Sequence, residues 1–567
     1  MLTLKGVFRT FVILNAITII FFLATSGIFT SNENNFLEVV QSKFFYNKSL
    51  ALKVLEKLDE RSTPSSPHFR DVFMGLKRDS EYCAKVRNNF VEYPESYFNG
   101  MYFISDLHHK SLTRTKVLPV IGTDLMPKFA HELMKKKEKK IPKLLLDPRA
   151  TIFFINSGIH NYHVIGKEVA CLYQSYNHVI GAGSLTRKDH VARAAIEYTE
   201  KFKDKTQCFD GKKFFPQSRE LRNETECRFW FDYLDSDEYQ KEKQEKKIVF
   251  IRKIGLGSHQ GKGVQPVDQT EEDRLREKYQ NGTLCGKIQD SILIQHYISN
   301  PLLVLGHKFD FRIYMMIAST NPLIVYYHDG FLRVSLFEYN ATSTEKGMHL
   351  TNTAQSIKAM KKAVAEGMNE TEMRNFQMWN LTKFTDYLIS IGKVKSRAWL
   401  DEFLRPAFQH AMQHLVRMTQ HTFKPYSTSW ELYGMDFMLD DDLDLWFIEA
   451  NAGPEIKGSN LEKELLVTKM VTDMFEIVSS YLKSRLKRAV KFVNLLYQSG
   501  EIQRGENGEV IISKLKQRQE EFAELTKNYL EEEFEISADN NWIKIIDENI
   551  EGTERYNGMF KSECLEI

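Results

Sequence analysis

The feature that most restricts how this chain can fold is a pair of apolar stretches around a short acidic turn. Tyr433-Gly434-Met435-Asp436-Phe437-Met438-Leu439 leads through Asp440-Asp441-Asp442 into Leu445-Trp446-Phe447-Ile448-Glu449-Ala450-Asn451. Aromatic and aliphatic runs on both sides of a polar turn read as a β-hairpin. Centring the turn between Asp442 and Leu443 places Asp436 directly opposite Glu449, where cross-strand side chains touch. Asn451, two residues further on, projects from the same face as Glu449 because side chains alternate along a strand. Three oxygen-bearing groups should then converge, and two carboxylates on strands this apolar repel each other unless a cation lies between them. Hard oxygen donors suit Mg2+ bridging nucleotide phosphates. The alternative, an exposed acidic hairpin, leaves carboxylates on apolar strands unexplained.

Two upstream blocks point the same way. Ile248-Val249-Phe250-Ile251 is a β-prone run ending in Arg252 and Lys253, and the loop that follows carries Gly255, Gly257, Gly261 and Gly263. Glycine lets a backbone approach phosphate oxygens and aim N–H donors at them, which makes Gly261 and Gly263 candidates for nucleotide contact. The loop is not a Walker A motif: Leu256 stands where its first glycine belongs, and Gly263 rather than Ser or Thr follows Lys262. Val264 to Val267, with Pro266, reads as a second strand. Strand, glycine flap and strand form either the usual lid of an ATP-grasp site or a plain hairpin.

The third block runs from Ile294-Gln295-His296-Tyr297-Ile298 through Pro301-Leu302-Leu303 to Lys308-Phe309-Asp310-Phe311-Arg312-Ile313-Tyr314. Lys308, Asp310 and Arg312 alternate with apolar residues and share one strand face. Two cations beside a carboxylate are either a structural ion pair or, facing a metal hairpin, groups that bind and polarise phosphate or acyl oxygens. Arg333 follows on another short strand, and His349-Leu350-Thr351-Asn352 is a polar loop placed to contact nucleotide. A lone histidine such as His296 or His349 is more often a hydrogen-bonded packing residue than a catalyst.

Around these blocks the chain divides into five stretches. Residues 1–30 form a signal anchor or signal peptide. Residues 31–145 read as helical and end in a lysine run at 135–140, a solvated helix face or linker. Apolar runs alternate with helical stretches over 146–247, an α/β signature. Residues 248–480 hold the catalytic core, with a helical insertion around 355–422. Residues 481–567 form a C-terminal helical, partly disordered tail. Ile477, Val478, Leu482, Leu486, Val490 and Val493 fall near one face of a helix over Glu476 to Tyr497, which should pack on the body. The fold class expected is α/β (α+β).

The N-terminus is different in kind. Thr10 to Phe29 is almost wholly apolar and follows Lys5 and Arg9. Twenty helical residues at ~1.5 Å each just span a ~30 Å hydrocarbon core. An uncleaved signal anchor is favoured over a cleaved signal peptide, for which Ala24-Thr25-Ser26 supplies the small residues. Either one sends the chain into the secretory route, and an anchor makes it single-pass and membrane-associated. Flanking positive charge favours a luminal body. Asn-x-Ser/Thr sequons at Asn47, Asn223, Asn281, Asn340, Asn369 and Asn380 fit luminal exposure, although a chain rich in Asn, Ser and Thr yields several by chance. Six cysteines without CxxC spacing leave room for one or two disulfides and no zinc site. With 77 basic against 75 acidic residues there is no net field to draw in nucleic acid.

Taken together, Lys253 with its glycine loop, Gln295-His296-Tyr297-Ile298 with Pro301-Leu302-Leu303, Lys308-Phe309-Asp310-Phe311-Arg312, His349-Leu350-Thr351-Asn352, and Gly434-Met435-Asp436 with Ile448-Glu449-Ala450-Asn451 and Pro454 resemble the ordered motifs of the tubulin–tyrosine ligase-like family. Gly183 to Asp189 and Phe214-Phe215-Pro216 resemble its pre-core segments. The resemblance implies an ATP-grasp ligase core that uses ATP and Mg2+. In the reaction it implies, the γ-phosphate activates an acceptor carboxylate as an acyl phosphate, which the amine of a free amino acid then attacks. Carried over position by position, Lys253 and Lys308 would hold phosphates, and Gln295, His296, Tyr297 and Ile298 would border adenine. Thr351 and Asn352 would lie beside the nucleotide, and Asp436, Glu449 and Asn451 would ligate Mg2+. Lys308, Asp310, Arg312 and Arg333 would form the catalytic set at the acceptor and amino-acid site. His296 stands where the family usually has lysine. The loop at 349–352 is more similar to glutamylating than to glycylating members, so glutamate is the expected donor, with tyrosine and glycine as alternatives. The acceptor implied is an acidic protein such as a tubulin C-terminal tail. The competing readings are a luminal ligase with a secretory substrate and an inactive membrane-anchored scaffold.

Overall fold

The computed structural model describes residues 44–62, 81–98, 103–105, 151–154, 171–202, 214–246, 248–255, 263–288, 291–340, 343, 360–361, 364–365, 367–456, 460–506, 510–513, 518, 521, 525 and 527–549. Strands β1 (Phe103–Ser105), β2 (Ile152–Phe154) and β3 (Ser175–Tyr176) pair in parallel. Next come β4 (Ser218–Glu220), β5 (Phe250–Ile254), β6 (Val264–Pro266) and β7 (Ile292–His296), an antiparallel sheet in the order β4-β7-β5-β6. The seven-stranded sheet contains β8 (Leu303–Val304), β9 (His307–Thr320), β10 (Leu323–Glu338), β11 (Met378–Asn380), β12 (Glu431–Leu439) and β13 (Leu445–Ala452). A hairpin of β14 (Ile502–Arg504) and β15 (Val510–Ile512) precedes β16 (Ile543–Asp547), which pairs with β10 as the seventh strand of that sheet.

Helices α1 (Lys48–Ser62), α2 (Glu81–Glu92) and α3 (Lys188–Lys201) lie upstream of the strands that carry the motifs. The four-stranded sheet is accompanied by α4 (Glu224–Leu234), α5 (Asp237–Glu245) and α6 (Gln269–Gln280). Between β10 and β12 come α7 (Glu370–Gln377), α8 (Leu381–Ser390) and α9 (Arg405–Thr419), which occupy the stretch read as a helical insertion. The 38-residue α10 (Leu461–Gln498) follows β13.

Both faces of the large sheet are covered, which explains why its strands are apolar almost without interruption. On one face Phe309, Phe311, Ile313 and Met315 of β9 pack with Phe384 of α8 and Phe408 and Leu415 of α9. On the other, Tyr314, Met316 and Ala318 meet Met470, Met474 and Ile477 of α10. Asn460 caps α10 by accepting from the Lys463 N–H at 2.9 Å. Ile477, Val478, Leu482, Leu486 and Val493 are buried, so this helix does pack on the body. Arg485, also buried, donates to the carbonyls of Leu172, Gln174 and Ser427 and pins the helix to the loops that it crosses.

The structure fits the expected α/β (α+β) class and the room left for one or two disulfides, and changes one expectation, at the C-terminal stretch. The main sheets are antiparallel, and parallel pairing is confined, among the named strands, to β1, β2 and β3. The stretch read as a helical tail contains strands β14 to β16, and Trp542, Ile545 and Ile546 bury their side chains at the large sheet. The charge of that tail hid this short apolar run. Disulfides join Cys83 to Cys171 and Cys227 to Cys285. Among the described residues no helix is long and apolar enough to cross a membrane. The apolar run from Thr10 to Phe29, and with it the anchor, lies outside the described residues, as do the lysine run at 135–140, Gly261, His349, Thr351 and Asn352.

Candidate active site

The hairpin does set Asp436 opposite Glu449, by a route that a symmetric turn did not foresee. Leu439 pairs with Leu445, so residues 440–444 form the turn and its centre is Asp442. The register then shifts between the Phe437–Phe447 and Asp436–Glu449 pairs, with Ile448 as the extra residue of a bulge. Leu443 adopts a positive φ of 67°. Asp440 holds the turn, accepting from the backbone of Asp442 and Asp444 and from Trp446 Nε1 at 3.1, 2.9 and 2.9 Å. Asn451 Nδ2 lies 3.3 Å from both Asp436 Oδ2 and Glu449 Oε1. The three side chains therefore converge.

Strand register builds a charged row across the sheet. Arg312 pairs with Asp436, which pairs with Glu449, while Asp310 pairs with Arg333. Arg312 grips Asp436 with Nε and Nη2 at 2.6 and 3.1 Å, and Arg333 Nη2 reaches the same carboxylate at 2.9 Å. Arg333 also clasps Asp310 with both Nε and Nη2. Gly434 makes the Arg312 grip possible: a Cβ there would sit 2.9 Å from Arg312 Cδ and from Pro454 Cβ. Burial pushes the Asp436 carboxyl up, but the two guanidiniums outweigh it and hold the acid below its ordinary range.

The four-stranded sheet faces this row with Lys253, whose Nζ donates to Gln295 Oε1 at 2.6 Å. Gln295 in turn donates to Ser218 Oγ at 2.9 Å. Lys308 donates to the Tyr297 hydroxyl at 3.1 Å and sits over the Tyr297 ring, 4.7 Å from its centroid. Both lysines are buried, and each hydrogen-bonds a neutral oxygen. Burial accordingly lowers Lys253 to about 8 against the pull of Glu449, and Lys308 to about 7 against that of Asp310. Ile298 is half-buried. Gly263, at a φ of 85°, immediately precedes β6.

His296 is not brought to this place. Strand alternation turns it to the opposite face from Gln295, where its ring meets Phe250 at 4.6 Å and Tyr233 at 6.2 Å. In the other direction, the sequence reading left Lys188 out of its site set. Its Nζ lies 3.0 Å from Glu449 Oε2, and with Thr186, Lys253, Gln295 and Glu449 it lines a small crevice between the two sheets. A weak signal was available. Lys188 is the first residue of α3, where the helix dipole weakly disfavours a cation, a hint too small to name its partner.

Protein cations thus neutralise both acids, and repulsion between Asp436 and Glu449 does not by itself require a metal. Among the described residues no group of three or more His, Cys, Asp or Glu side chains is arranged to hold one. What fits a magnesium nucleotide is the combination. Two carboxylates and a carboxamide present hard oxygens with further lone pairs, beside two buried ammoniums that, among the described residues, hydrogen-bond only neutral oxygens.

The model of the tubulin-tyrosine ligase family matches residues 167–487, more than half of the chain. The chain belongs to this family. Tubulin polyglutamylase TTLL7 of Mus musculus is 28% identical over 347 residues, 59% of this chain and 34% of that protein. Probable tubulin polyglutamylase TTLL9 of Bos taurus is 30% identical over 226 residues, covering 39% and 45%. Tubulin glycylase 3A of Drosophila melanogaster is 28% identical over 187 residues, covering 33% and 18%. The chain therefore spans less than half the length of these curated relatives. The matched segment of this tubulin-tyrosine ligase family member contains every residue of the charged row, Lys188 and both buried lysines.

Proposed function

We infer that the protein is an ATP-dependent ligase that joins a free amino acid, glutamate by preference, to a carboxylate of an acidic protein segment of the tubulin-tail kind. The observation that carries this reading is the convergence of Asp436, Glu449 and Asn451 beside two buried lysines that hydrogen-bond neutral oxygens, Lys253 from the facing sheet and Lys308 from β9, in a chain of this family. Lys253 and Lys308, which among the described residues hydrogen-bond only neutral oxygens, hold phosphate oxygens. Asp436, Glu449 and Asn451 hold Mg2+, which when bound neutralises phosphate charge. Gln295 and Tyr297 orient the lysines, and contact of Gly261 and Gly263 with the nucleotide is assigned from the glycine-loop sequence alone. Thr351 and Asn352 lie in a loop assigned to the nucleotide from the family resemblance alone.

Arg312 and Arg333 are fixed donors beside the site of transfer. They offset charge on the acceptor carboxylate and on the oxyanion formed when the amine attacks, without having to reorganise. Asp310 keeps Arg333 in place. Glutamate as donor rests on the 349–352 loop and on the polyglutamylases among the relatives, against which stand the glycylases. The test is the purified full chain with ATP, Mg2+, an acidic acceptor peptide and each radiolabelled amino acid in turn. Transfer of glutamate is expected. Transfer of glycine or tyrosine in its place would overturn the donor, and no ATP- and Mg2+-dependent transfer of any amino acid would overturn the ligase reading.

A further inference from the structure

We propose that the folded body is built for an oxidising, glycosylating compartment, with N-linked glycans at Asn223, Asn281, Asn369 and Asn47. Sequons alone are weak, because short patterns recur by chance. The structure adds how these asparagines are used. Asn223 begins α4 and its side-chain oxygen accepts from the Thr225 and Glu226 N–H groups at 3.0 and 3.2 Å. Asn369 does the same for α7 with Thr371 and Glu372, and Asn47 for α1 with the Leu50 N–H at 3.0 Å. A capping asparagine spends Oδ1 on the helix and keeps Nδ2, the atom that carries an N-linked glycan, out of the backbone bonding; at Asn369 that Nδ2 donates to Glu372 Oε1 at 3.3 Å, within its own exposed first turn rather than across two elements. All three are exposed, and so is Asn281, at the C-terminal cap of α6. Capping and glycosylation are therefore compatible at the same residue.

A second, independent observation points to the same compartment. Cys83–Cys171 ties α2 to the loop before β3, and Cys227–Cys285 ties α4 to the segment after α6. The first closes a separation of 88 residues and the second of 58. Disulfides of this kind persist where thiols are not kept reduced. Asn380 supplies the contrast within the chain. It is half-buried, and its Nδ2 is spent on Glu462 at the start of α10, so a glycan there would part the two elements. If the ligase reading above holds, the acceptor is an acidic segment of a protein on the same secretory route.

The test uses the full chain expressed in a eukaryotic cell and followed by gel mobility, a readout independent of ligase activity. PNGase F is expected to increase mobility. Ser49→Ala, Thr225→Ala and Thr371→Ala, which destroy the sequons and leave the capping asparagines in place, should each remove one mobility step, as should Asn281→Gln. Thr382→Ala, which destroys the Asn380 sequon, should remove none. Maleimide should fail to label Cys83, Cys171, Cys227 and Cys285 until reductant is added. A wild-type chain unmoved by PNGase F, or those cysteines reactive without reductant, would overturn the proposal. A step lost in Thr382→Ala, or none lost in the other four variants, would overturn the assignment of sites.

Discussion

The cleft treats its arginines and its lysines in opposite ways, although Lys308 shares strand β9 with Arg312. On the seven-stranded sheet, Arg312 and Arg333 are locked between Asp310 and Asp436, each guanidinium matched to a carboxylate. The buried lysines are matched differently, Lys253 on the four-stranded sheet with the amide of Gln295 and Lys308 with the hydroxyl of Tyr297. An arginine fork fits carboxylates rigidly and keeps its charge, whereas a buried lysine yields its proton when desolvation outweighs the anions around it. The arginines have their anions before any ligand arrives. The lysines are completed by one.

Breaking the arginine pairs should produce the largest effect. Arg333→Met leaves Asp310 without its clasp and Asp436 with one partner fewer, and losing one member of a buried ion pair costs about 3–5 kcal/mol. The urea midpoint should fall accordingly, at unchanged m. Lys308→Met removes a cation whose burial is unfavourable, so it should leave the midpoint unchanged or raise it. Equal losses in the two variants would erase the distinction between the two kinds of cation.

The same lysine variants should reverse the order when ligand binding is read. A hydrogen bond to a charged group contributes about 1.5–3 kcal/mol, so Lys253→Met and Lys308→Met should each weaken Mg·ATP binding by roughly 10- to 100-fold. Calorimetric titration measures this directly. A nucleotide that binds both variants as tightly as wild type would place the phosphates elsewhere.

How much of this was legible beforehand depends on the kind of pattern. Period-two alternation gave the shared face of Lys308, Asp310 and Arg312, and the apolar runs gave the hairpin with its Asp436–Glu449 pair. The bulge that makes this pair was invisible, since no glycine or proline marks Ile448. Alternation also implied that Gln295 and His296 face opposite ways, yet treating the motif as one block put both beside adenine. Lys188 comes from a helix more than 240 residues upstream of its partner Glu449, a contact that only tertiary folding creates. The closing strand β16 was masked by the charged residues around it.

A pH series sharpens the comparison with a smaller effect. With folded values of about 7 for Lys308 and about 8 for Lys253, against an ordinary 10.5, the unfolded chain binds more protons than the folded one above pH 7. These lysines therefore make stability rise with pH from about 7 toward 10. Bound phosphate favours the ammonium, so nucleotide affinity should move the other way and fall as pH climbs through 7 and 8, by at most ~1.4 kcal/mol per pH unit for each group. Lys308→Met should flatten its share of both slopes. Slopes of the same sign in wild type would contradict the assignment of phosphate to these lysines.

The smallest effect separates acids that serve the turn from acids that serve the cleft. Asp440, Asp441 and Asp442 stand in the same acidic stretch, but Asp440 is committed to two backbone N–H groups and the Trp446 indole, and Asp441 pairs with Lys393. Asp440→Asn replaces an ionised acceptor with a neutral one of the same shape and should cost about 1 kcal/mol of stability. Mg·ATP affinity should stay within about twofold, a few tenths of a kcal/mol, because none of the Asp440 hydrogen bonds reaches Asp436, Glu449 or Asn451. A large loss of nucleotide binding in this variant would mean that the turn, and not the bulged pair behind it, meets the ligand.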